Sequence, residues 1–408
     1  MKETMINKIL NYLLVVFTFL LPISTAMTNV AMALLILVWI FEGNWKEKLR
    51  ILNHSKVFLT YISFISFLGL SLLWSDSING GFTTHAKNAV TFFFSYYVFG
   101  FMIIPILITS LKKRYLRYAF SAFLVAMFLS EVMSWGIFME WITYKNISSQ
   151  DPSPFMHHTL YSIFLAVTIF ILLTQFFQTK AIGYKVFRGI FLFSAVINLF
   201  LNGGRLGQLA FFIALLTFIY LHYKITLKSV GWSSVLIVGV FMLAYNVSPV
   251  FKTRMDLSLV SLQKIAVGNY NSSWGIRTNI LIVAKEVVKE HPIVGTGLGD
   301  ARTVFLEKAK KFPQTEFFSK LKHLHNQYMQ ILFETGVMGL GLFLLFLLFL
   351  LRLGLHKEEF IFMVSVVVVF LVGFVGEPLL FSRKPYFLFN FLVALFVYQS
   401  LSKTNNND

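Results

Sequence analysis

The chain has 408 residues, 57% hydrophobic, 17% aromatic and only 13% charged. Soluble domains carry about 25% charged residues, so this composition excludes an ordinary soluble fold and fits a chain that lies mostly in lipid. The formal net charge of +17 could suggest nucleic acid, but no basic stripe with interleaved aromatics accompanies it, and the absence of cysteine excludes disulfides and thiolate metal sites.

Twelve apolar runs predict an all-α, polytopic transmembrane bundle. They lie at 9–25, 26–42, 57–74, 88–110, 118–140, 159–178, 189–202, 206–222, 230–247, 329–351, 360–376 and 388–401. Most approach the ~20 residues that cross a bilayer as a helix. The first leads straight into the second, so no cleaved signal is expected. The runs at 189–202 and 206–222 meet at Gly203, Gly204 and Arg205, which predicts a tight re-entry. Alternate connections differ in charge. One set, from Lys2 and Lys8 to Lys403, holds eighteen lysines and arginines. The short connections between hold five: Lys87, Lys145, Arg205, Arg383 and Lys384. The positive-inside rule makes the rich set cytoplasmic, with both termini inside. The chain therefore reads as spans one to nine (1–247), a large outer loop (248–328), and spans ten to twelve with a short cytoplasmic tail (329–408).

The large loop is expected to fold as a helical cap. Residues 278–290 are amphipathic at helical spacing and stop at His291 and Pro292, because proline disfavours helix in the residue before it. Gly295, Gly297 and Gly299 predict a flexible turn. A nucleotide loop is excluded there, since no strand precedes it and the loop faces outward. Asp300 is a reasonable N-cap for a helix through about Lys310.

Three elements could carry chemistry. Arg205 stands at the outer end of a span among glycines that let the backbone approach a ligand, and its guanidinium suits phosphate. Arg277 opens the amphipathic helix, where a positive helix end adds to its charge. Residues 323–340 join a polar head bearing His323, His325 and Asn326 to an apolar tail. If they form one helix at about 100° per residue, Gly336 falls within roughly 20° of His325 and Gly339 within roughly 40°. The two glycines would then carry the His325 face into the membrane and let another helix approach. His323, about 200° round the same helix, would point elsewhere. His157 and His158 suggest a metal only faintly, and no metal is expected. Asp300, Glu334 and Glu377 are candidate proton handlers, the last two in or near the bilayer, where carboxylates are costly and often functional.

Taken together, Gly203-Gly204-Arg205-x-Gly207 at a span's outer end, Arg277 in the large loop, and His325-Asn326 followed by Gly336 and Gly339 resemble the O-antigen ligase family, the lipid A-core:surface polymer ligases of the wider ligase/polymerase superfamily. The resemblance covers the whole chain, with the His325 element its specific part. Many relatives have serine where this chain has Gly204, and the Arg277 match rests on loop position. The resemblance implies a metal-independent, inverting glycosyltransferase of the bacterial inner membrane, without cofactor, acting on the periplasmic side. Its donor would be a polysaccharide on undecaprenyl diphosphate and its acceptor lipid A-core. His325 would be the base, and Arg205 and Arg277, with Asn326, would bind substrate. An O-antigen polymerase, a protein O-oligosaccharyltransferase and a secondary transporter remain as alternatives. A transporter needs polar groups at mid-membrane on several spans, whereas the notable groups here gather at the outer boundary.

Overall fold

The computed structural model describes residues 4–83, 86–223, 226–312 and 315–404. Among them the chain is all α-helix with short 3-10 and π turns and no strand. Eleven helices among the described residues are long and apolar enough to cross a bilayer. This is a multi-pass membrane protein. The expected span at 230–247 coincides with the helix Leu227–Val247, several of whose side chains lie outside the described residues. The span expected at 189–202 is longer, Ile182–Leu201. Its extra turns carry Lys185 and Arg188, long side chains that can bury their stems while the charge stays near water.

The chain forms two compact units. The first comprises residues 1–43, 110–257 and 354–373. Its first helix, Met5–Ile23, packs along both Thr25–Glu42 and Lys113–Phe138. Ser24 alone separates the first two helices, and its hydroxyl accepts from the Met27 N–H at 3.4 Å. In a membrane an unmatched amide is costly, so Asn7 and Asn11 are tied down. Asn7 donates to Glu42 (2.7 Å) and Asn11 to the Ser110 carbonyl (3.0 Å). The helices His158–Gln178, Ile182–Leu201 and Arg205–His222 pack together, and residues 202–204 make the turn between the last two.

The second unit comprises residues 44–109, 258–353 and 374–408. Its core pairs the helices Lys56–Leu70 and Gln327–Leu351, with Tyr61 stacked on Phe346 at 4.1 Å between ring centres. The Tyr61 hydroxyl donates to Asn390 (2.8 Å), and Asn390 donates to the Gly100 carbonyl (2.9 Å). A π turn, Phe93–Val98, interrupts the helix before that carbonyl, and the Tyr386 hydroxyl donates to the Tyr97 carbonyl (3.0 Å). The large connection is helical where described: Pro249–Ala266, Ser273–Glu290 and Ala301–Ala309, with a 3-10 turn at Thr315–Lys320. The helix expected at 278–290 ends where proposed but begins five residues earlier, because Ser272 caps it by accepting from the Gly275 N–H at 3.0 Å.

Candidate active site

The helix expected from residue 323 begins only at Gln327. Asn326 is its N-cap: the side-chain oxygen accepts from the Met329 N–H (2.8 Å) and the amide donates to the Val375 carbonyl (2.9 Å). His325 precedes the cap with φ +52°, in the left-handed region. For a residue with a Cβ that conformation costs about 1–2 kcal/mol, so the surroundings must hold it. Gln330 does so by accepting from the Leu324 N–H at 2.8 Å. The helical-face argument therefore fails for both histidines. His323 does not point away; its ring centre lies 4.3 Å from that of His325.

Both imidazoles converge on Glu377. His325 Nδ1 lies 3.1 Å from Oε2, and His323 Nε2 lies 3.3 Å from Oε1. Arg277 Nη2 stands 3.9 Å from Oε2. Hydrogen-bond logic assigns the tautomers. His323 Nδ1 accepts from the His325 backbone N–H (3.3 Å), so its Nε2–H donates to Glu377. His325 Nδ1–H donates to the other carboxylate oxygen, which leaves the His325 Nε2 lone pair for chemistry. Burial pushes the His323 pKa down to about 4, against the pull of Glu377, so this imidazole is neutral at neutral pH. Burial also opposes a charged Glu377, but the hydrogen bond from His325 and the electrostatic pull of the neighbouring imidazoles and of Arg277 outweigh it. Its carboxyl is held below the usual range. With a side chain 27% exposed, His325 is reachable by a substrate, while Glu377, at 13%, is largely enclosed.

The His323, His325 and Glu377 donor atoms all lie within 4.8 Å of one another, a His-His-Glu set that a divalent cation could use.

The next turns explain Gly336. The helix Gln327–Leu351 is broken there, at φ +62°. The turn and loop at 292–297 enter the break. Val337 and Met338 N–H groups donate to the Pro292 and Ile293 carbonyls (2.9 and 3.2 Å). The Phe333 and Glu334 carbonyls accept from Thr296 and Gly297 (2.9 and 3.0 Å). Every one of these backbone groups would otherwise be stranded in an apolar setting. A Cβ on Gly336 would sit 2.2 Å from the Ile293 oxygen. A turn of the large connection approaches this glycine, not a helix as expected. The ten residues between His325 and Gly336 thus supply the N-cap and the half-helix between the imidazole cluster and the inserted segment. Nor are Gly295, Gly297 and Gly299 a flexible turn: residues 295–300 are buried, and Leu298 and Gly299 donate to the Ser71 and Ser75 hydroxyls at 3.0 Å each. Asp300 occupies its N-cap position without capping; its carboxylate instead accepts from the Asp76 N–H and from the Ser77 N–H (2.8 Å).

The half-helix itself is a bracket. Gln327, Gln330 and Glu334 are fully buried on it. Gln330 donates to Glu334 (2.6 Å) while accepting from Leu324, and Gln327 accepts from the Leu380 N–H (2.9 Å). The loops bearing the histidines and Glu377 are therefore both fastened to one helical face.

Arg205 belongs to the other unit, where it begins the helix Arg205–His222 and its Nη1 donates to the Arg254 carbonyl (3.4 Å). His158 pairs with Asp151 at 2.6 Å, and His157 accepts from the Thr159 N–H at 3.4 Å. Burial opposes a charged Asp151, but hydrogen bonds from His158 and the Gly203 N–H outweigh it and hold the carboxyl low.

Residues 190–344 match the family model described as O-antigen ligase. That match supports the O-antigen ligase/polymerase superfamily. The family suggests a glycosyltransferase-like ligase activity in general and implies polysaccharide or lipid-linked substrates in a membrane context. The segment matched to the ligase family contains Arg205, Arg277, His325 and Gly336, and it ends before Glu377. No curated protein matches the chain. Sequence reasoning undervalued Glu377 and set His323 aside. The available signal for Glu377 was an acid at the end of an otherwise apolar span, next to Pro378.

Proposed function

We propose that the protein is an O-antigen ligase, an inverting and metal-independent glycosyltransferase. It would move a polysaccharide from undecaprenyl diphosphate onto the outer core sugar of lipid A-core, at the periplasmic face of the bacterial inner membrane. The observation that carries this reading is the His325 imidazole held by Glu377 with Nε2 left as a base. The acceptor hydroxyl attacks the anomeric carbon, its proton passes to His325 Nε2, and the bond from that carbon to the diphosphate oxygen breaks. Glu377 orients the ring and balances the imidazolium as it forms. Positioned general bases contribute about 10²–10⁴-fold. Arg277, near the same carboxylate, supplies positive charge for the leaving diphosphate. Arg205, in its own unit, is assigned to diphosphate binding, and Asn326 to substrate contact through the backbone it caps. The charge asymmetry of the connections supports an outward-facing large loop.

The polymerase reading uses the same donor with a second lipid-linked glycan as acceptor. Surface polysaccharide from a deletion strain separates the two. Free core with lipid-linked polymer of normal length is the expected result; core capped by a single repeat unit would make the protein a polymerase.

A further inference from the structure

The turn before Arg205 is built on a half-buried acid whose oxygens are already engaged. Asp151 accepts from the Gly203 N–H (3.0 Å) and the Ser153 hydroxyl (3.2 Å) and pairs with His158. Asn202 accepts from the Gly204 N–H at 2.9 Å, which closes the turn. Over this turn lies a second guanidinium. A Cβ built on Gly203 would meet Nη2, Nε and Cζ of Arg254 at 3.1, 3.2 and 3.4 Å. That approach is tight, and a side chain at Gly203 would push the Arg254 guanidinium back by a few tenths of an ångström. Arg205, two residues on, donates to the Arg254 backbone carbonyl. Two guanidinium groups thus gather at one turn although they stand 49 residues apart in sequence. An anion touching both would gain a charge-assisted hydrogen bond from each. A diphosphate has two phosphates to offer, and each guanidinium presents a planar fork that fits one.

We infer that Arg254 is a second diphosphate-binding arginine, which acts with Arg205 on the lipid-diphosphate donor while Gly203 leaves room for its guanidinium. This rests on the proposed donor and adds a residue that the family resemblance did not supply. Full-length protein in lipid nanodiscs is titrated with undecaprenyl diphosphate and, separately, undecaprenyl monophosphate. Arg254→Ala should weaken diphosphate binding at least tenfold and narrow the preference for diphosphate over monophosphate. Arg254→Lys, which keeps the charge but not the fork, should fall between. Lys252→Ala, a neighbouring cation that lies over the Tyr245 ring, should bind as the parent does. If Arg254→Ala unfolds, Arg254→Lys decides. Parental binding by the Arg254 variants, together with a tenfold loss in Arg205→Ala, would overturn the inference and leave the donor site standing. No loss from either arginine would remove the donor reading itself.

Discussion

Replacing Glu377 with glutamine keeps the shape of the side chain and removes its charge. In the parent, one carboxylate oxygen takes His325 Nδ1–H at 3.1 Å and the other takes His323 Nε2–H at 3.3 Å. An amide has a single acceptor oxygen, so one imidazole must face an N–H with its own N–H. If His325 loses its partner, the ring is free to turn and the Nε2 base is no longer aimed. A charge-assisted hydrogen bond of this kind is worth about 1.5–3 kcal/mol. The imidazolium formed during transfer also loses its counter-charge. At an effective dielectric of about 20, charges about 3 Å apart interact by roughly 5 kcal/mol, which is a ceiling. Between these bounds the expected fall in kcat is about 10²–10³-fold. The assay is transfer from lipid-linked polymer to lipid A-core with purified protein, with kcat and donor KM measured separately. Donor KM should stay near the parent value. A kcat within threefold of the parent would refute the orienting role. A change confined to KM would mean that Glu377 acts by holding Arg277 instead.

His323→Gln should lower transfer about tenfold, because it removes an anchor of Glu377; full activity in the same assay would return His323 to the bystander role that a single helix implied. Gly336→Ala should lower stability by about 2–4 kcal/mol, read as a fall in Tm, since a Cβ there meets the Ile293 carbonyl in a left-handed backbone; an unchanged Tm would mean that the break closes into a regular helix. Acid should weaken the fold in a stated window. His323 titrates near 4 when folded and near 6.5 when unfolded, so the unfolded chain binds more protons between those values and stability falls as pH drops from about 6.5 to 4. The depressed Glu377 carboxyl adds a loss with the same sign at the lower end. Tm measured against pH should fall less steeply through that window in His323→Gln than in the parent.

The membrane class and most spans were legible because twenty apolar residues leave a bilayer helix few alternatives. The end of the 273–290 helix was legible from Pro292. The start of the 327–351 helix was not. A polar head joined to an apolar tail fits both a continuing helix and a capped one, and only the left-handed backbone at His325 separates them. Gly336 was ambiguous for a similar reason: glycine in a membrane helix permits either close packing or a break. The choice depends on the segment at 292–297, about forty residues earlier in the chain. Glu377 stands 52 residues from His325, so no local pattern could join them. Arg205, Arg277 and His325 were singled out as candidates through their motifs, while the contact of Glu377 with the imidazole needed the tertiary structure.

The most direct measurement is transfer by His325→Ala alongside binding of the lipid-linked donor by the same protein. Donor binding should persist, because the lipid tail and the arginine contacts with diphosphate do not need the imidazole. Transfer should fall by about 10²–10⁴-fold, the share a positioned base supplies. Substantial transfer by His325→Ala across a pH series would contradict the assignment of His325 as the base.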